Sequence, residues 1–559
     1  MKKTQLLLSA FLLAASTAWA QNSSTVEQTG TNNSAVNQSG TNVATVQQFG
    51  ENTSTINSTS VDADVANEAS VFQIGGGNTS TIDQLGDGNS ASVDQQGLND
   101  SDPDTDKGIG NIADVDQTGD GNSAIVDTDG DANEATIEQN GDDNSSTIDQ
   151  GVGYAQRNLG TITQDGEGND AFIEQRYDEN EAVIYQNGST NEAKVLQNTR
   201  SNEPAVGSYA SVNQMGESNR GTVDQDGQEN DAFIDQVGND NFAKTRQNGD
   251  YNYAEVDQNG EGNSSRITQS GSSSVSGFAN EAHVEQYGSG NSSQITQSGN
   301  NSGTHHAGND AYVEQDGVDN SSVITQSGNN SGSDDTNYAY VYQEGEENSS
   351  EISQTGSISD DDEANEASVY QNGAGNSSFI SQSGNNSGED EANDADVEQY
   401  GNNNSSTISQ TGDGFGTDDH ANDADVIQVG NDNSSAITQS GNNSGVDDAN
   451  DADVEQYGNG NSSVIAQNGN NFGAGMANNA NVYQEGNGNF SDISQTGDDY
   501  NFADVDQLGD GHSSEIDQMS GAMGVTGNSA TVIQTGVLGH SSQITQMGSN
   551  TATVTQSDL

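Results

Sequence analysis

The sequence lacks cysteine and has only two prolines and one tryptophan among its 559 residues. Without cysteine there is no disulfide framework, no thiolate nucleophile and no Cys-ligated zinc or iron–sulfur site. Hydrophobic residues make up 28% of the chain and aromatic residues 5%, which is well below the share in a layered globular core of this length. A conventional enzyme fold is therefore not expected, and the chain must be stabilised in another way.

Positive charge is also scarce, with 11 Lys plus Arg against 87 Asp plus Glu and a formal net charge of -76. Such a surface repels phosphates, which excludes nucleic acid as a partner. Low hydrophobicity combined with high net charge is also typical of intrinsic disorder. However, charged residues total only 18%, and the 68 glycines and the asparagines recur at regular intervals. Order is therefore to be sought in the period of the sequence.

The amino terminus has the features of a secretory signal. Two lysines precede an apolar stretch over residues 6–15, and Ala18-Trp19-Ala20 forms a small-x-small cleavage site. The pattern predicts a signal peptide over residues 1–20 and a mature chain that begins at Gln21. No stretch approaches the ~20 apolar residues of a membrane span, so we expect an exported protein without a transmembrane segment.

From Gln21 onward one pattern, N-x-[AS]-x-[VI]-x-Q-x-G, recurs in about 42 copies. Residues 22–30 read N-S-S-T-V-E-Q-T-G, and residues 393–401 read N-D-A-D-V-E-Q-Y-G. The leading asparagines follow each other after ten or eleven residues, and from Asn365 spacings of eleven alternate with seventeen or eighteen. A period this sustained indicates a solenoid, with residues 21–559 forming a single repeat array.

Within each copy, constrained and free positions alternate, which is the period of a β-strand. The closing Gly and the next Asn tolerate positive φ and predict a turn. Two copies folded face to face make one coil, so the pattern predicts an all-β solenoid of about 21 two-strand coils with amyloid-like cross-β stacking. The constrained face would be the interior, with Val or Ile at its centre and amides on either side.

Buried amides are costly unless they are paired, but identical amides stacked at ~4.8 Å can hydrogen-bond along a column. We therefore predict that the leading Asn and the Gln of each copy form structural ladders. In the most regular part of the chain these residues are Asn365, Gln371, Asn376, Gln382, Asn393, Gln399, Asn404, Gln410, Asn422, Gln428, Asn433, Gln439, Asn450, Gln456, Asn461 and Gln467.

The insertions predict that one edge of the ribbon differs from the other. With copies numbered from Asn22, the long gaps nearly all precede even-numbered copies, with one exception between Asn52 and Asn67. If odd and even copies form opposite walls, the insertions emerge from one edge. Those at 387–391 and 446–448 are acidic, and we interpret them as solvated loops.

The outward residues of the second half predict two chemically different walls. Even copies place Asp and Glu outward, as at Asp394, Asp396 and Glu398, whereas odd copies place Ser and Thr outward. Carboxylates ~4.8 Å apart repel by about 1 kcal/mol per pair in water, less with salt. We therefore expect salt, acid or divalent cations to favour stacking. No cofactor is assigned, and loose bridging of outward carboxylates by Ca²⁺ stays an open alternative.

The repeat unit, paired into strand-turn-strand coils behind a secretory signal, resembles the curlin repeat of curli fibre subunits over residues 22–556. The resemblance implies a secreted structural subunit of extracellular functional-amyloid fibres at the bacterial cell surface, contributing to biofilm matrix, adhesion and surface attachment. It also implies self-association, a minor nucleating subunit, an outer-membrane secretion pore and periplasmic chaperones. The chain departs from the family in its larger number of copies and its stronger acidic wall.

No catalytic or metal site is assigned from the sequence. The six histidines are scattered, and the pair His305-His306 is interpreted as part of a solvated loop. There is no G-x-S-x-G elbow, P-loop or EF-hand motif. The alternative function is a monomeric acidic solenoid, acting as an adhesin-like rod or binding ice or glycans through its Ser/Thr wall. Against ice or glycan binding, the outward residue before the central Ile varies, as in Gln294, Glu351 and Phe379.

Overall fold

The computed structural model describes residues 21–62, 65–97, 110–151, 156–199, 206–274, 277–302, 307–332, 335–359, 363–387, 391–415, 420–445, 447–473, 476–498, 500–520 and 527–558. Within these ranges no residue is helical, and no helix is long and apolar enough to cross a membrane. The predicted signal peptide at 1–20 and the pair His305-His306 lie outside the described residues.

Forty β-strands make up the described chain. Their bounds are β1 (Ser23–Gly30), β2 (Asn33–Ser39), β3 (Asn42–Thr59), β4 (Asn67–Leu85), β5 (Ser90–Gln96), β6 (Ile112–Thr118), β7 (Ser123–Asp129), β8 (Glu134–Asp142), β9 (Ser145–Gln150), β10 (Leu159–Glu167), β11 (Asp170–Arg176), β12 (Glu181–Ser189), β13 (Glu192–Asn198), β14 (Tyr209–Glu217), β15 (Arg220–Asp226), β16 (Asp231–Asn239), β17 (Phe242–Asn248), β18 (Asn252–Glu261), β19 (Ser264–Ser270), β20 (Asn280–Ser289), β21 (Ser292–Ser298), β22 (Asn309–Val318), β23 (Ser321–Ser327), β24 (Asn337–Glu346), β25 (Ser349–Thr355), β26 (Asn365–Ala374), β27 (Ser377–Ser383), β28 (Asn393–Asn402), β29 (Ser405–Thr411), β30 (Asn422–Asn431), β31 (Ser434–Ser440), β32 (Asn450–Asn459), β33 (Ser462–Asn468), β34 (Asn478–Asn487), β35 (Phe490–Thr496), β36 (Asn501–Gly509), β37 (Ser513–Met519), β38 (Ser529–Gly536), β39 (Ser541–Met547) and β40 (Thr551–Ser557).

The strands stack into a β-solenoid with two walls, which confirms the predicted fold class. From β5 onward each strand pairs in parallel with the strand two places later, as β26 does with β28 and β27 with β29. The long strands β3 and β4 each hold two copies of the motif and run through both walls. Odd-numbered copies form the odd wall and even-numbered copies the even wall, and one strand from each wall makes a coil.

The register places identical motif positions above one another. On the even wall Asn365 pairs with Asn393. The Val at the fifth motif position and the Gln at the seventh pair with their counterparts in the same way. A slip of one residue would turn every inward side chain to solvent, so the alternation itself fixes this register. Inside the walls, the result is a set of columns in which the same type of side chain recurs from coil to coil.

The core is a single narrow seam between the walls. On β26, Asn365, Ala367, Val369 and Gln371 are all fully buried, while the residues between them are half-buried. A Val or Ile fills the centre at every motif copy except that of β17, where Thr245 takes its place, and each Val or Ile is worth ~1.5–3 kcal/mol when removed from water. Because the seam repeats in nearly every coil, the low apolar share of the sequence is enough to hold the coils together.

The two edges of the ribbon are built differently. The turn from the even to the odd wall is tight, with Gly401 at φ 117° and Asn403 at φ 55°. The opposite edge carries the insertions and is more ordered than solvated loops would be. There, parallel bridges join Asn301 to Asn330 and continue through Asn443 to Asn471 as a third column. Residues 388–390 and Val446, within the loops named above, lie outside the described residues.

Side-chain amides anchor this third column. Nδ2 of Asn386 donates to the backbone carbonyl of Glu363 over 3.0 Å, and Nδ2 of Asn443 donates to that of His420 over 3.0 Å. Each bond joins a loop to the preceding coil. The interpretation of residues 387–391 and 446–448 as solvated loops was wrong at Asp448, which is only 6% exposed, whereas Ser387 is exposed; the G-N-N-S segments next to these residues repeat in register and pair like short strands.

Candidate functional site

The glutamine at the seventh motif position forms a ladder inside each wall, unbroken from Gln84 on the even wall and from Gln150 on the odd wall, whereas Ser58 and Thr128 interrupt it nearer the amino terminus. On the even wall Nε2 of Gln371 donates to Oε1 of Gln399, and Nε2 of Gln399 donates to Oε1 of Gln428, each over 2.8 Å. On the odd wall Gln382 donates to Gln410 over 2.9 Å. These bonds run from Nε2 of one coil to Oε1 of the following coil, so the solenoid has a chemical polarity.

The same Nε2 groups also join the two walls. Gln399 on the even wall donates its second hydrogen to the carbonyl oxygen of Ser377 on the odd wall over 3.1 Å. Gln410 on the odd wall donates to the carbonyl oxygen of Asp394 on the even wall. A buried amide left without partners costs about 1–3 kcal/mol. Both donors are satisfied here, so one residue type links coils along the axis and walls across the core.

Leading asparagines bond to each other along the axis on both walls, as Nδ2 of Asn376 does to Oδ1 of Asn348 over 3.1 Å on the odd wall, and the odd-wall asparagines also contact the tight turn. On the even wall Nδ2 of Asn393 donates to Oδ1 of Asn365 over 2.8 Å, in an amide ladder. On the odd wall the backbone N–H of Asn404 donates to Oδ1 of Asn376, and its Nδ2 donates to the carbonyl of Gly430, each over 3.0 Å. The odd-wall asparagines therefore hold the tight turn of the next coil in place.

All sixteen ladder residues predicted from the sequence lie in the core, at most 2% exposed, and each bonds to its counterpart in an adjacent coil. They are Asn365, Gln371, Asn376, Gln382, Asn393, Gln399, Asn404, Gln410, Asn422, Gln428, Asn433, Gln439, Asn450, Gln456, Asn461 and Gln467. His512 and His540 replace two leading asparagines, and their rings stack with centroids 5.2 Å apart.

At the two ends of the part of the solenoid that the structure describes, the glutamine ladders have no further coil to bond to. Amide atoms that are paired inside the solenoid are therefore open there. At the amino-terminal end Nε2 of Gln28 donates inward to Gln48 over 2.6 Å, and none of the described residues donates to its Oε1. At the carboxy-terminal end Nε2 of Gln534 donates to Oε1 of Gln556 over 2.8 Å. Nε2 of Gln556 donates to a backbone carbonyl but to no further glutamine among the described residues. One end thus offers acceptors and the other donors.

The terminal coils also expose core positions. Val26 of β1 is 46% exposed, although its counterpart Val46 one coil inward is fully buried. In β40, Ala552 and Val554 are only partly buried. An open parallel edge with an apolar seam and unpaired backbone groups is a template for another strand. Each end is therefore shaped to receive a further coil of the same sequence pattern.

The even wall carries a block of six stacked aspartates, the aspartate grid. It consists of Asp394, Asp423 and Asp451 at the second motif position and Asp396, Asp425 and Asp453 at the fourth. Burial and the neighbouring carboxylates raise the pKa of Asp394 and of Asp451 to about 8, and that of Asp425 to about 7. Protonation of the grid therefore relieves repulsion that the stacked register imposes.

His420 lies at the edge of the aspartate grid, two residues before a leading Asn. Its Nε2 lies 2.8 Å from Oε2 of Glu391, and its Nδ1 lies 3.6 Å from Oδ1 of Asp448 and 3.9 Å from Oδ2 of Asp423. Burial opposes protonation of the imidazole, but the Glu391 hydrogen bond and the charges of Asp423 and Asp394 outweigh it and raise the pKa of His420 to about 10. His420 is one of the six scattered histidines to which the sequence assigned no role.

Aromatic columns on the even wall were also missed. The rings of Tyr312 and Tyr340 stack with centroids 5.3 Å apart, and those of Tyr342 and Tyr370 with centroids 5.0 Å apart. The signal was present, since β24 places Tyr at three successive outward positions. In register, these outward rings stack along the axis and add contacts worth ~0.5–1.5 kcal/mol per pair.

The odd wall buries hydroxyl groups that lack partners. At the third motif position seven serines are at most 3% exposed, and their Oγ atoms have no hydrogen-bond partner among the described residues. They are Ser265, Ser293, Ser322, Ser350, Ser378, Ser463 and Ser491. The even wall has Ala at this position, as in Ala367. Each of these serines therefore lowers the stability of its coil, and the hydrogen bonds of the amide ladders compensate for that loss.

Replacing Ser378 with alanine is expected to stabilise its coil by about 0.5–1.5 kcal/mol, because an unpaired buried hydroxyl is removed with little change in shape. Hydrogen exchange of the amides in β27 measures the effect. Ser377→Ala, at the adjacent outward position, is the matched control and should change little. Faster exchange in Ser378→Ala than in the unmodified chain would mean that this hydroxyl is hydrogen-bonded in solution.

The outward face of the odd wall does not present a uniform lattice. The residue before the central Ile changes from Val323 to Glu351, Phe379 and Thr407 in four successive coils that are in register. A surface matched to ice or to a regular glycan needs the same group at each step. This column offers apolar, acidic, aromatic and hydroxyl groups in turn, so no lattice-binding site is assigned to it.

The repeats match a family described as the curlin associated repeat. Its model matches nine times, over residues 66–97, 108–140, 129–153, 207–238, 238–271, 276–299, 363–388, 391–414 and 448–471. No curated protein matches the chain. The matches fall on paired copies in both the less regular first half and the regular second half, and these are the same units that form the coils.

Proposed function

We propose, on the premise that this chain belongs to the curlin-repeat family, that it is a structural subunit of extracellular curli-like amyloid fibres. The role is structural and involves no catalysis. The fibres would lie at the bacterial cell surface and contribute to the biofilm matrix, to adhesion and to surface attachment. Export would follow from the signal peptide predicted at residues 1–20.

The observation that carries the proposal is the complementarity of the two ends. The carboxy-terminal end offers glutamine donors and the amino-terminal end offers glutamine acceptors. Both ends also expose the apolar seam of the motif, as at Val26 and Val554. Head-to-tail stacking of two copies would continue the ladders and the seam, whereas joining two like ends would oppose donor to donor or acceptor to acceptor.

The partners follow from the same proposal. The main partner is a second copy of the chain, docked end to end. A minor nucleating subunit, an outer-membrane secretion pore and periplasmic chaperones complete the proposed assembly route, and these three rest on family membership alone. The high negative charge on the wall faces opposes lateral clumping of rods, while leaving growth at the rod ends open.

An inward charge at the carboxy-terminal end tests the proposal. Val554→Asp places a carboxylate on the seam of β40, and burying it unpaired at a junction would cost several kcal/mol. We expect this variant of residues 21–559 to fold as a rod but to fail to elongate fibres. Thr553→Asp, the adjacent outward change, is the matched control and should assemble normally. Sedimentation and electron microscopy after incubation in salt give the readout.

Two outcomes would contradict the proposal. Equal assembly by Val554→Asp and Thr553→Asp would show that the carboxy-terminal end is not a growth surface. A β-rich unmodified chain that stays monomeric at all salt concentrations would leave the adhesin-like rod as the function. Circular dichroism on both variants separates a failure to assemble from a failure to fold.

A further inference from the structure

The site around His420 brings together side chains from three successive coils. Glu391 and Asp394 belong to the coil of β28, His420 and Asp423 to that of β30, and Asp448 to that of β32. Glu391, His420 and Asp448 each lie two residues before a leading Asn, where the loop edge meets the even wall. The nine-residue motif does not include this position.

The donor atoms converge closely enough to share an ion. One ligand atom each from Asp394, His420 and Asp423 lies within 4.8 Å of the other two, and no other group of three such side chains meets this condition in the part of the chain that the structure describes. Bonds to zinc of ~2.0–2.2 Å place tetrahedral ligands ~3.4 Å apart. Small rotations of the two aspartates would close the difference.

We propose that Asp394, His420 and Asp423 hold a divalent transition-metal ion of the zinc class, with Asp448 as a fourth ligand. The imidazole decides the class, because calcium and magnesium take oxygen ligands whereas zinc readily combines imidazole with carboxylates. Nδ1 is the ligand atom, since it faces Asp423 and Asp448.

Glu391 has the position of a supporting residue in this site. Its Oε2 lies 2.8 Å from Nε2 of His420, on the opposite side of the ring from Asp423. A carboxylate that accepts the second N–H of a ligating histidine fixes the tautomer and the orientation of the ring. The metal would then join adjacent coils at the edge of the aspartate grid, where stacked carboxylates repel each other, and so stabilise the acidic part of the rod.

Zinc titration of chelator-stripped residues 21–559, followed by calorimetry in a millimolar background of calcium, tests this site. Calcium at this concentration occupies the outward carboxylates that bind divalent cations non-specifically. The heat that remains on adding zinc therefore reports selective zinc binding. We expect one saturable site per chain, and at least a tenfold loss of affinity in His420→Gln. His283→Gln is the matched control, because His283 also lies on the even wall between Glu255 and Glu285 but outside the converging group.

A second readout does not depend on affinity. Cobalt bound in place of zinc should give visible absorption bands of a nitrogen- and oxygen-ligated ion in the unmodified chain and in His283→Gln, and should lose them in His420→Gln. Unchanged zinc binding in His420→Gln, or no zinc signal above the calcium background, would overturn the proposal in favour of counter-ions spread over the acidic wall. Circular dichroism confirms that the variants fold alike.

Discussion

Replacing Gly401 with alanine is expected to break the solenoid at a single coil. Gly401 has φ 117°, and a Cβ at this position would lie 1.9 Å from the carbonyl oxygen of Gly430 in the next coil. The backbone of Gly430 cannot move aside as the end of a flexible side chain could. The two coils must therefore separate, and the ladder hydrogen bonds between them are lost. A cost above about 4 kcal/mol follows, at the upper end of single substitutions.

Because each coil contacts only its neighbours, the damage should stay local. Hydrogen exchange is expected to accelerate in β28 and β30 while coils far from the junction keep their protection, and limited proteolysis should cut the rod into two stable parts. Gly460→Asn is the matched control. Gly460 also has positive φ, at 66°, but an added Cβ meets nothing within 4 Å, and Asn403 already occupies the equivalent place in another coil. Equal effects of the two substitutions would refute this account of the turn.

Acid is expected to stabilise the coils that carry the aspartate grid. An unfolded aspartate titrates near 3.8, whereas the folded pKa of Asp394 and of Asp451 is about 8. The folded protein therefore binds more protons between these values, and stability rises as the pH falls from about 8 towards about 4. His420 acts in the same direction, because its folded pKa of about 10 adds stability below its unfolded value of 6.5 that is lost as the pH rises through 10.

The grid side chains are half-exposed and screened by salt, so we expect a total gain of about 1–3 kcal/mol between about pH 9 and about pH 5. Urea unfolding with a chelator present, resolved by hydrogen exchange in β28 to β32, gives the measurement. Asp451→Asn should raise stability at the alkaline end and flatten the dependence. Asp517→Asn, at an exposed position on the odd wall, is the control. A stability that falls on acidification over this range would contradict the role of the grid.

Much of the fold could be predicted because the same pattern of buried and exposed positions recurs from copy to copy of the motif. Alternation in a copy such as 393–401 specifies a strand, and the buried faces of Asn393, Val397 and Gln399 specify which side is the core. Repetition then fixes the register, since each column works only when like side chains stack. The sixteen ladder residues were predicted by the same reasoning, because a buried amide in a repeat has the equivalent amide of the next copy as its nearest partner.

Features outside the nine-residue motif could not be predicted in this way. The third column of bridges depends on how G-N-N-S segments such as the one containing Asn386 cross the edge, and loop length alone does not give that path. His420 meets Asp394 and Asp423 only because the edge folds back on the even wall. The additional contact of the odd-wall asparagines with the tight turn also follows from turn geometry, which the motif leaves unspecified.

X-ray fibre diffraction on material pelleted from residues 21–559, incubated in salt, tests the central claim most directly. If copies stack head to tail, the fibres give a meridional reflection near ~4.7 Å and an equatorial reflection near ~10 Å. Electron microscopy should show unbranched filaments that Val554→Asp fails to extend. A chain that stays soluble while its circular dichroism is β-rich would contradict the fibre, and would show that the solenoid acts as a single rod.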